Sequence, residues 1–175
     1  MQVWRDESGE KRDKRTMYLR VLPRSFFEKL RQTPQEQEAL SQFRIISINS
    51  TGESPPITPS FYRLPTLLVL YFDDVSEFLH ENGRFMTLQD AQRIMDFVLN
   101  QSPDKPILIH CTAGISRSGA VGEVLNDYLN RHLLKHEADY QRFISEHPHI
   151  LPNPLVRRLL LVEIDNRIQK EGDKC

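Results

Sequence analysis

The sequence predicts an α/β fold in which a central, mostly parallel sheet is flanked by helices on both faces. Three short apolar runs, at 43–48, 67–72 and 106–109, lack polar alternation and predict strands that are covered on both sides. Stretches in which apolar residues have helical spacing lie between and after these runs. Strands and helices therefore alternate along the chain, which is typical of a sheet sandwiched between layers of helices.

The segment before these runs predicts one more strand and two short helices. Residues 17–22 form the strand, which Pro23 borders. Residues 23–31 and 34–40 each begin with a proline, and proline is tolerated in the first turn of a helix. Residues 49–60 contain three prolines, a glycine and several hydroxyl residues, so they predict a loop.

The second half of the chain is predicted to be mainly helical. Thr87 and Asp90 resemble a capping box, with Asp in place of Glu. Helices are also expected over 137–146 and 154–168. The apolar residues with helical spacing in the two remaining helices are Ala91, Ile94, Met95, Val98 and Leu99, then Val121, Val124, Leu125, Tyr128 and Leu129.

Length and composition indicate one globular domain over 1–175, with a charged N-terminal arm at 1–15. The net charge of -1 excludes a globally basic surface, so no nucleic-acid partner is expected. The apolar runs are too short to span a bilayer and the arm has no signal-peptide core, so no membrane association is expected. Two cysteines are too few for a disulfide framework, which favours a cytoplasmic location. We also expect a monomer.

The segment between the strand at 106–109 and the next helix contains a cysteine, a glycine and an arginine. The stretch reads His110-Cys111-Thr112-Ala113-Gly114-Ile115-Ser116-Arg117-Ser118. A loop at such a junction can turn successive backbone N–H groups inward, next to the positive end of the helix. That geometry binds a tetrahedral dianion, and Gly114 would permit backbone angles that other residues resist.

The same field would lower the pKa of Cys111 and populate its thiolate. A thiolate is a good nucleophile toward phosphorus and can form a phosphocysteine. Arg117, six residues later, can return its planar guanidinium to the pocket and contact two phosphoryl oxygens. Ser118 would place a hydroxyl beside the sulfur. A hydrogen bond from this hydroxyl to the sulfur would help the thiolate leave when the phosphocysteine is hydrolysed.

The pattern His-Cys-x5-Arg-Ser resembles the signature of the protein tyrosine phosphatase superfamily, and Ala-Gly-x-Ser-Arg-Ser is most similar to its dual-specificity branch. The resemblance covers residues 43 to about 165 and includes Ile150–Leu155, which is similar to a Pro-Asn segment that opens a late helix. It implies a single phosphatase domain with the cysteine phosphatase fold. Cys111 would be the nucleophile, Ser118 the hydroxyl residue and Asn153 a supporting residue. The phosphate would be bound by Thr112, Ala113, Gly114, Ile115, Ser116 and Arg117.

The resemblance also implies a general acid, because expelling an alkoxide or phenoxide is slow without one. Family members use an aspartate after the strand that precedes the signature. Aligning the strand ends favours Asp74, with Asp73 as the alternative. The gap from Asp74 to Cys111 is longer than is usual in the branch, and we assign the surplus to an enlarged loop at 80–85. Asp104 is a weaker candidate, since it is expected in a turn between helix and strand.

The predicted substrate is a phosphoprotein, with phosphotyrosine preferred and phosphoserine or phosphothreonine also open. Basic residues, which relatives acting on inositol phosphates tend to carry in this loop, are absent from Thr112, Ala113, Ile115 and Ser116. Three alternatives remain. They are an RNA 5′-triphosphatase, with 157–158 as its basic track, a pseudophosphatase that binds phosphoproteins without turnover, and a sulfur-transfer enzyme.

No metal or other cofactor is expected, because phosphocysteine chemistry needs none. His132 and His136 have the i, i+4 spacing of a helical metal pair, but no carboxylate completes a recognisable motif. His110 is expected to be a buried residue that braces the loop by hydrogen bonding, without acting as an acid or base.

Overall fold

The structure, a computed structural model, describes residues 17–75, 83–100 and 105–172. Within these ranges the strands are β1 (Leu19–Pro23), β2 (Arg44–Asn49), β3 (Leu67–Tyr71) and β4 (Ile107–Cys111). The α-helices are α1 (Arg24–Leu30), α2 (Pro34–Gln42), α3 (Leu88–Leu99), α4 (Arg117–Leu125), α5 (Glu137–Glu146) and α6 (Pro154–Gly172). The predicted arm at 1–15, Asp104, Cys175 and residues 80–82 of the predicted enlarged loop lie outside the described residues.

The sheet is parallel throughout and its strand order is β1-β4-β2-β3. Pro23 pairs with Cys111 at the ends of β1 and β4, and Asn49 pairs with Tyr71 at the ends of β2 and β3. The carboxyl ends of all the strands therefore meet along one edge. In open α/β sheets ligands bind in the crevice outside this edge, so the topology brings the segments that follow β2, β3 and β4 together there.

Helices cover both faces of this sheet, as the sequence predicts. One face, with Leu19, Ile46 and Ile109, packs in a core shared with α3, α4 and α6. The other, with Ile45 and Leu108, packs against α1 and α2. The alternation of inward and outward side chains along each strand divides the apolar residues between these two cores.

The prediction that each apolar strand is covered on both sides is confirmed for β2 and β4, whose residues are all buried. It is wrong for β3, in which Leu68, Val69 and Tyr71 are only half-buried. The physical reason is position, because β3 lies at the edge of the sheet and has a neighbouring strand on one side only.

Helix boundaries follow the predicted signals closely. Thr87 and Asp90 form a capping box at the start of α3, each accepting from the other's backbone N–H. The helical spacing after α4 continues as a π-helical segment at Asn126–Leu133, which the sequence does not predict. Within it Asn130 donates to Met17 O at 2.9 Å, so the wider turn places a buried amide against the chain before β1.

None of the described helices combines the length and apolar character needed to cross a bilayer.

His147 holds the free edge of β1 through a neutral imidazole. Its Nε2 accepts a hydrogen bond from Val21 N at 3.0 Å, and its other ring nitrogen lies 2.8 Å from Phe143 O, which only a protonated Nδ1 can bond. Burial lowers the pKa of His147 below its usual 6.5. Protonating Nε2 would place two donors face to face and break the contact with β1.

We therefore expect the free energy of unfolding to fall on acidification. A histidine whose folded-state pKa is depressed contributes stability above its unfolded value, and that contribution is lost as pH falls below about 6.5, at up to ~1.4 kcal/mol per pH unit. Urea titrations between about pH 7.5 and 5 should show this slope, and His147→Gln should reduce it. The same substitution at His132, whose side chain is 65% exposed, is the control. An equal slope in wild type and His147→Gln would contradict this account.

Candidate active site

The loop between β4 and α4 is held so that its carbonyl groups face outward. Thr112 O accepts from Arg24 N at 3.2 Å, and Ile115 O accepts from Leu151 N at 3.1 Å. Ser116 O accepts from the backbone N–H of Ala120 at 2.9 Å and of Asn153 at 3.1 Å. With these carbonyl groups bonded to other segments, the N–H groups of the successive residues Gly114 and Ile115 bond to the sulfur of Cys111, as in an anion-binding nest.

Gly114 allows this loop to form. Its φ is +70°, a conformation that costs other residues more than it costs glycine. A Cβ atom there would lie 2.7 Å from both Leu22 C and Pro23 N, which is shorter than real contacts allow. A side chain at residue 114 would therefore force the loop away from the end of β1.

Cys111 ends β4 at the base of the loop and is 2% exposed. Its Sγ lies 3.0 Å from Ser118 Oγ. Burial raises the pKa of the Cys111 thiol, but hydrogen bonds to the sulfur from the Ser118 hydroxyl and backbone N–H, and from the N–H groups of Ile115 and Gly114, outweigh it. The pKa of Cys111 therefore lies below its usual value, and the thiolate is the form that this pocket stabilises.

Arg117 begins α4 and is 3% exposed, with its guanidinium anchored on one side. Nη1 donates to Phe72 O at 2.8 Å and to Ser50 Oγ at 3.1 Å, and Nη2 donates to Thr112 Oγ1 at 2.8 Å. Nε is buried and has no hydrogen-bond partner among the described residues. A buried cationic N–H without a partner is costly, and an anion in the loop would satisfy it.

Asp73 and Asp74 follow β3, and their side chains have different surroundings. Thr51 N donates to Asp73 Oδ1 at 2.8 Å, while Thr51 Oγ1 and Arg84 N donate to Oδ2 at 2.9 and 2.8 Å. The hydrogen bond from Thr51 N, followed by that from Arg84 N, holds the pKa of Asp73 below its ordinary value despite some burial. Asp73 is therefore an ionised acceptor that orders the loop.

Asp74 is exposed and faces the loop that follows Cys111. Ser116 Oγ donates to Asp74 Oδ1 at 2.7 Å, and Asn153 Nδ2 donates to the same oxygen at 2.9 Å. The Asp74 carboxyl is thus hydrogen-bonded both to the loop that follows Cys111 and to the residue that precedes α6. Of the two adjacent aspartates, Asp74 is the one whose side chain contacts that loop.

His110 lies beneath the loop with its ring against Phe27, at a centroid distance of 4.7 Å. Its Nε2 is 2.7 Å from Ser47 Oγ. Burial lowers the pKa of His110 to about 3, so the imidazole is neutral near pH 7. His110 is therefore a buried residue that is hydrogen-bonded to β2, and its predicted role in bracing the loop stays a prediction.

Sequence reasoning missed Ser50 and Thr51, which hold Arg117 and Asp73 respectively. The available signal was position, because both residues follow β2 and the carboxyl ends of parallel strands share one edge of the sheet. Thr112 and Ala113 are exposed at the mouth of the loop, whereas Ile115 and Ser116 are half-buried. The predicted loop residues are therefore together around Cys111.

His132 and His136, which have the sequence spacing of a helical metal pair, contact different groups in the structure. His132 Nε2 is 3.1 Å from Asp127 Oδ2, and the side chain of His136 accepts from Asp139 N at the start of α5. Among residues 17–75, 83–100 and 105–172, no group of three or more His, Cys, Asp and Glu side chains is arranged to hold a metal ion.

Several solved structures resemble this chain over most of its length. The human tyrosine phosphatase-like serine/threonine/tyrosine-interacting protein is 23% identical and superposes with a TM-score of 0.57, covering 86% of this chain and 93% of its own. PTPMT1 is 16% identical with a TM-score of 0.50, covering 90% of this chain and 96% of its own. No model of a protein family matches the chain, and no curated protein matches its sequence. The architecture is the cysteine phosphatase fold that the resemblance in the sequence implied.

Proposed function

We propose that this chain is a cysteine-dependent protein phosphatase that hydrolyses phosphotyrosine, and also phosphoserine and phosphothreonine, through a phosphocysteine intermediate. One observation carries the proposal. The buried Sγ of Cys111 receives hydrogen bonds from backbone N–H groups and from Ser118, and the same loop leads to Arg117, whose buried Nε has no partner among the described residues. A site of this kind combines a stabilised nucleophile with binding of a tetrahedral dianion.

The proposed reaction has two displacements at phosphorus. In the first, the Cys111 thiolate forms the S–P bond while the P–O bond to the substrate breaks, and Asp74 gives its proton to the leaving oxygen. In the second, water attacks the phosphocysteine, Asp74 takes a proton from it, and inorganic phosphate and the thiolate are released. Ser118 donates to the sulfur as it leaves, and Arg117 and the loop N–H groups stabilise the equatorial oxygens throughout.

The substrate class follows from the charge around the loop. Thr112, Ala113, Ile115 and Ser116 are uncharged, which supports a single phosphate group on a protein over a polyphosphorylated ring. An RNA 5′-triphosphate would require a basic track. Of the candidate pair, Arg157 has its Nε 3.4 Å from Glu123 Oε2 and is partly neutralised, which weakens this alternative.

A second candidate function is capture of phosphoproteins without turnover. One of the similar structures is of a tyrosine phosphatase-like serine/threonine/tyrosine-interacting protein, and a fold by itself does not imply hydrolysis. In this chain, support for turnover comes from having a cysteine, an arginine, a hydroxyl and an acid together at one loop. Measured binding of a phosphopeptide with no phosphate release would favour this second candidate.

The experiment that tests the proposal is turnover of p-nitrophenyl phosphate and a phosphotyrosine peptide under reducing conditions, without added metal. We expect hydrolysis that vanadate inhibits, together with a phosphorylated protein trapped by rapid acid quenching and located by mass spectrometry at Cys111. Release of phosphate from triphosphate-ended RNA faster than from the peptide would decide for the RNA alternative. Turnover without any phosphorylated intermediate would overturn the mechanism.

The two aspartates after β3 should differ in effect. Asp74→Asn removes the proposed proton donor, and we expect kcat for the phosphotyrosine peptide to fall about 10²-fold. Asp73→Asn leaves the donor in place but weakens the acceptor of Thr51 and Arg84. We expect it to lower thermal stability and to reduce kcat by less than about 10-fold. The measurement is the steady-state kcat of the two variants. A larger fall in kcat for Asp73→Asn than for Asp74→Asn would make Asp73 the general acid and Asp74 the residue that orders the loop.

A further inference from the structure

Asn153 connects three parts of the site through one side chain. It is 3% exposed, and its Nδ2 donates to Asp74 Oδ1 at 2.9 Å and to Val75 O at 3.2 Å. Its backbone N–H donates to Ser116 O. The segment after β3 is therefore attached, by one amide group, to the same residue that holds the loop after Cys111.

The other half of the same amide has a separate, structural task. Asn153 Oδ1 accepts from Leu155 N at 3.0 Å and from Val156 N at 3.1 Å, which caps the N-terminus of α6. The cap needs only an acceptor. It explains an Asn, Asp, Ser or Thr at this position, but it gives no reason for a donor pointing at Asp74.

Ser116 supplies a second donor to the same carboxylate oxygen. Its hydroxyl lies 2.7 Å from Asp74 Oδ1. Among the described residues, none donates to Oδ2 of Asp74. The Asn153 N–H can only donate, so an O–H at Oδ1 would face another donor, and Oδ1 stays an acceptor. The Ser116 hydroxyl, which could also accept, is bonded here as a second donor to Oδ1.

We propose that Asn153 and Ser116 are positioning residues that direct the acid proton of Asp74 to Oδ2, an inference that rests on the proposed phosphatase function. A neutral Asp74 then carries its proton only on the oxygen that is free to meet the leaving group. The loop that binds the phosphate also orients the acid, since Ser116 lies between the nucleophile Cys111 and Arg117 in sequence. Positioning of this kind matters because proton transfer requires heavy atoms within hydrogen-bond reach.

The test compares two substrates whose leaving groups differ in basicity. Asn153→Ser keeps a side-chain oxygen for the α6 cap but is too short to donate to Asp74. Poor leaving groups depend more on general acid catalysis than good ones do, by Brønsted behaviour. We expect Asn153→Ser to reduce kcat for phenyl phosphate about 30-fold and for p-nitrophenyl phosphate by less than about 3-fold. Ser116→Ala should also slow phenyl phosphate more than p-nitrophenyl phosphate, and so change the ratio of the two kcat values in the same direction. Ser116→Thr, which keeps a hydroxyl, should restore the wild-type ratio.

Two comparisons separate positioning from a merely structural role. Thr87→Ala removes the cap of α3, away from the site, and should lower thermal stability while leaving the ratio of the two kcat values unchanged. In an Asp74→Ala background, adding Asn153→Ser should have no further effect on the ratio, because the group to be positioned is absent.

Equal slowing of both substrates by Asn153→Ser, or an effect on the ratio that persists in the Asp74→Ala background, would overturn the inference. Its failure is distinguishable from failure of the proposed function. If wild type forms the Cys111 phosphocysteine but Asn153→Ser keeps the wild-type ratio, only the positioning role is lost. If wild type forms no phosphocysteine, the phosphatase proposal itself fails.

Discussion

Cys111→Ser is expected to abolish hydrolysis of p-nitrophenyl phosphate and of phosphotyrosine peptides, lowering kcat on the order of 10⁴-fold or more. The hydrogen bonds that stabilise a thiolate at this position hold the pKa of Cys111 below the ordinary value of a thiol. A serine hydroxyl is a far weaker acid than a thiol, so the same donors would surround an uncharged and weak nucleophile. Measurement of kcat and of the acid-quenched intermediate should show both turnover and the phosphocysteine lost.

The chain offers a matched control in its second cysteine. Cys175→Ser makes the same chemical change at the last residue and should leave kcat unchanged. Cys111→Ser should still bind a phosphotyrosine peptide, because the N–H groups of the loop and Arg117 remain. Retention of a tenth or more of the wild-type kcat in Cys111→Ser would show that another group is the nucleophile.

Arg117→Lys is expected to reduce kcat about 10³-fold, even though the charge is kept. In the proposed mechanism the guanidinium has two functions, anchoring within the protein and binding of the phosphoryl group. Nη1 and Nη2 are engaged by Phe72 O, Ser50 Oγ and Thr112 Oγ1, while Nε stays without a described partner. A lysine has one nitrogen, which cannot hold these anchors and also present a planar pair of donors to two phosphoryl oxygens.

Arg167→Lys is the matched control for this change. Arg167 lies on α6 and forms ion pairs with Asp96 and Glu163. The substitution removes a comparable set of hydrogen bonds outside the site, so kcat should stay within about 2-fold of wild type. The decisive measurement is kcat together with KM for the phosphotyrosine peptide. A rise in KM with an unchanged kcat would mean that Arg117 stabilises the bound substrate and the transition state equally.

Much of the architecture is local enough to be predicted. The capping box at Thr87 and Asp90 and the helix over 137–146 depend on neighbours within a few residues, and both are present. The nine-residue stretch around Cys111 is also local, so its position between a strand and a helix follows from the sequence. The π-helical turn at Asn126–Leu133 was missed, because its hydrogen bonds reach residues far away, such as Met17.

The choice between Asp73 and Asp74 shows where sequence reasoning ends. Both residues follow the same strand, and aligning strand ends favours Asp74 without excluding its neighbour. The structure distinguishes them by contacts with residues distant along the chain. Asp74 meets Ser116 and Asn153, which are 42 and 79 positions away, whereas Asp73 meets Thr51 from the loop after β2.

By itself, the sequence determined the fold class, the order of elements and the strand–loop–helix unit that carries Cys111 and Arg117, because apolar periodicity and short motifs act through near neighbours. Tertiary structure decided the order β1-β4-β2-β3, the half-exposure of β3 and the partners of the two aspartates. These depend on which carboxyl strand ends are packed side by side. That packing is set by the burial of both faces of the sheet, a property of the whole chain that no single segment encodes.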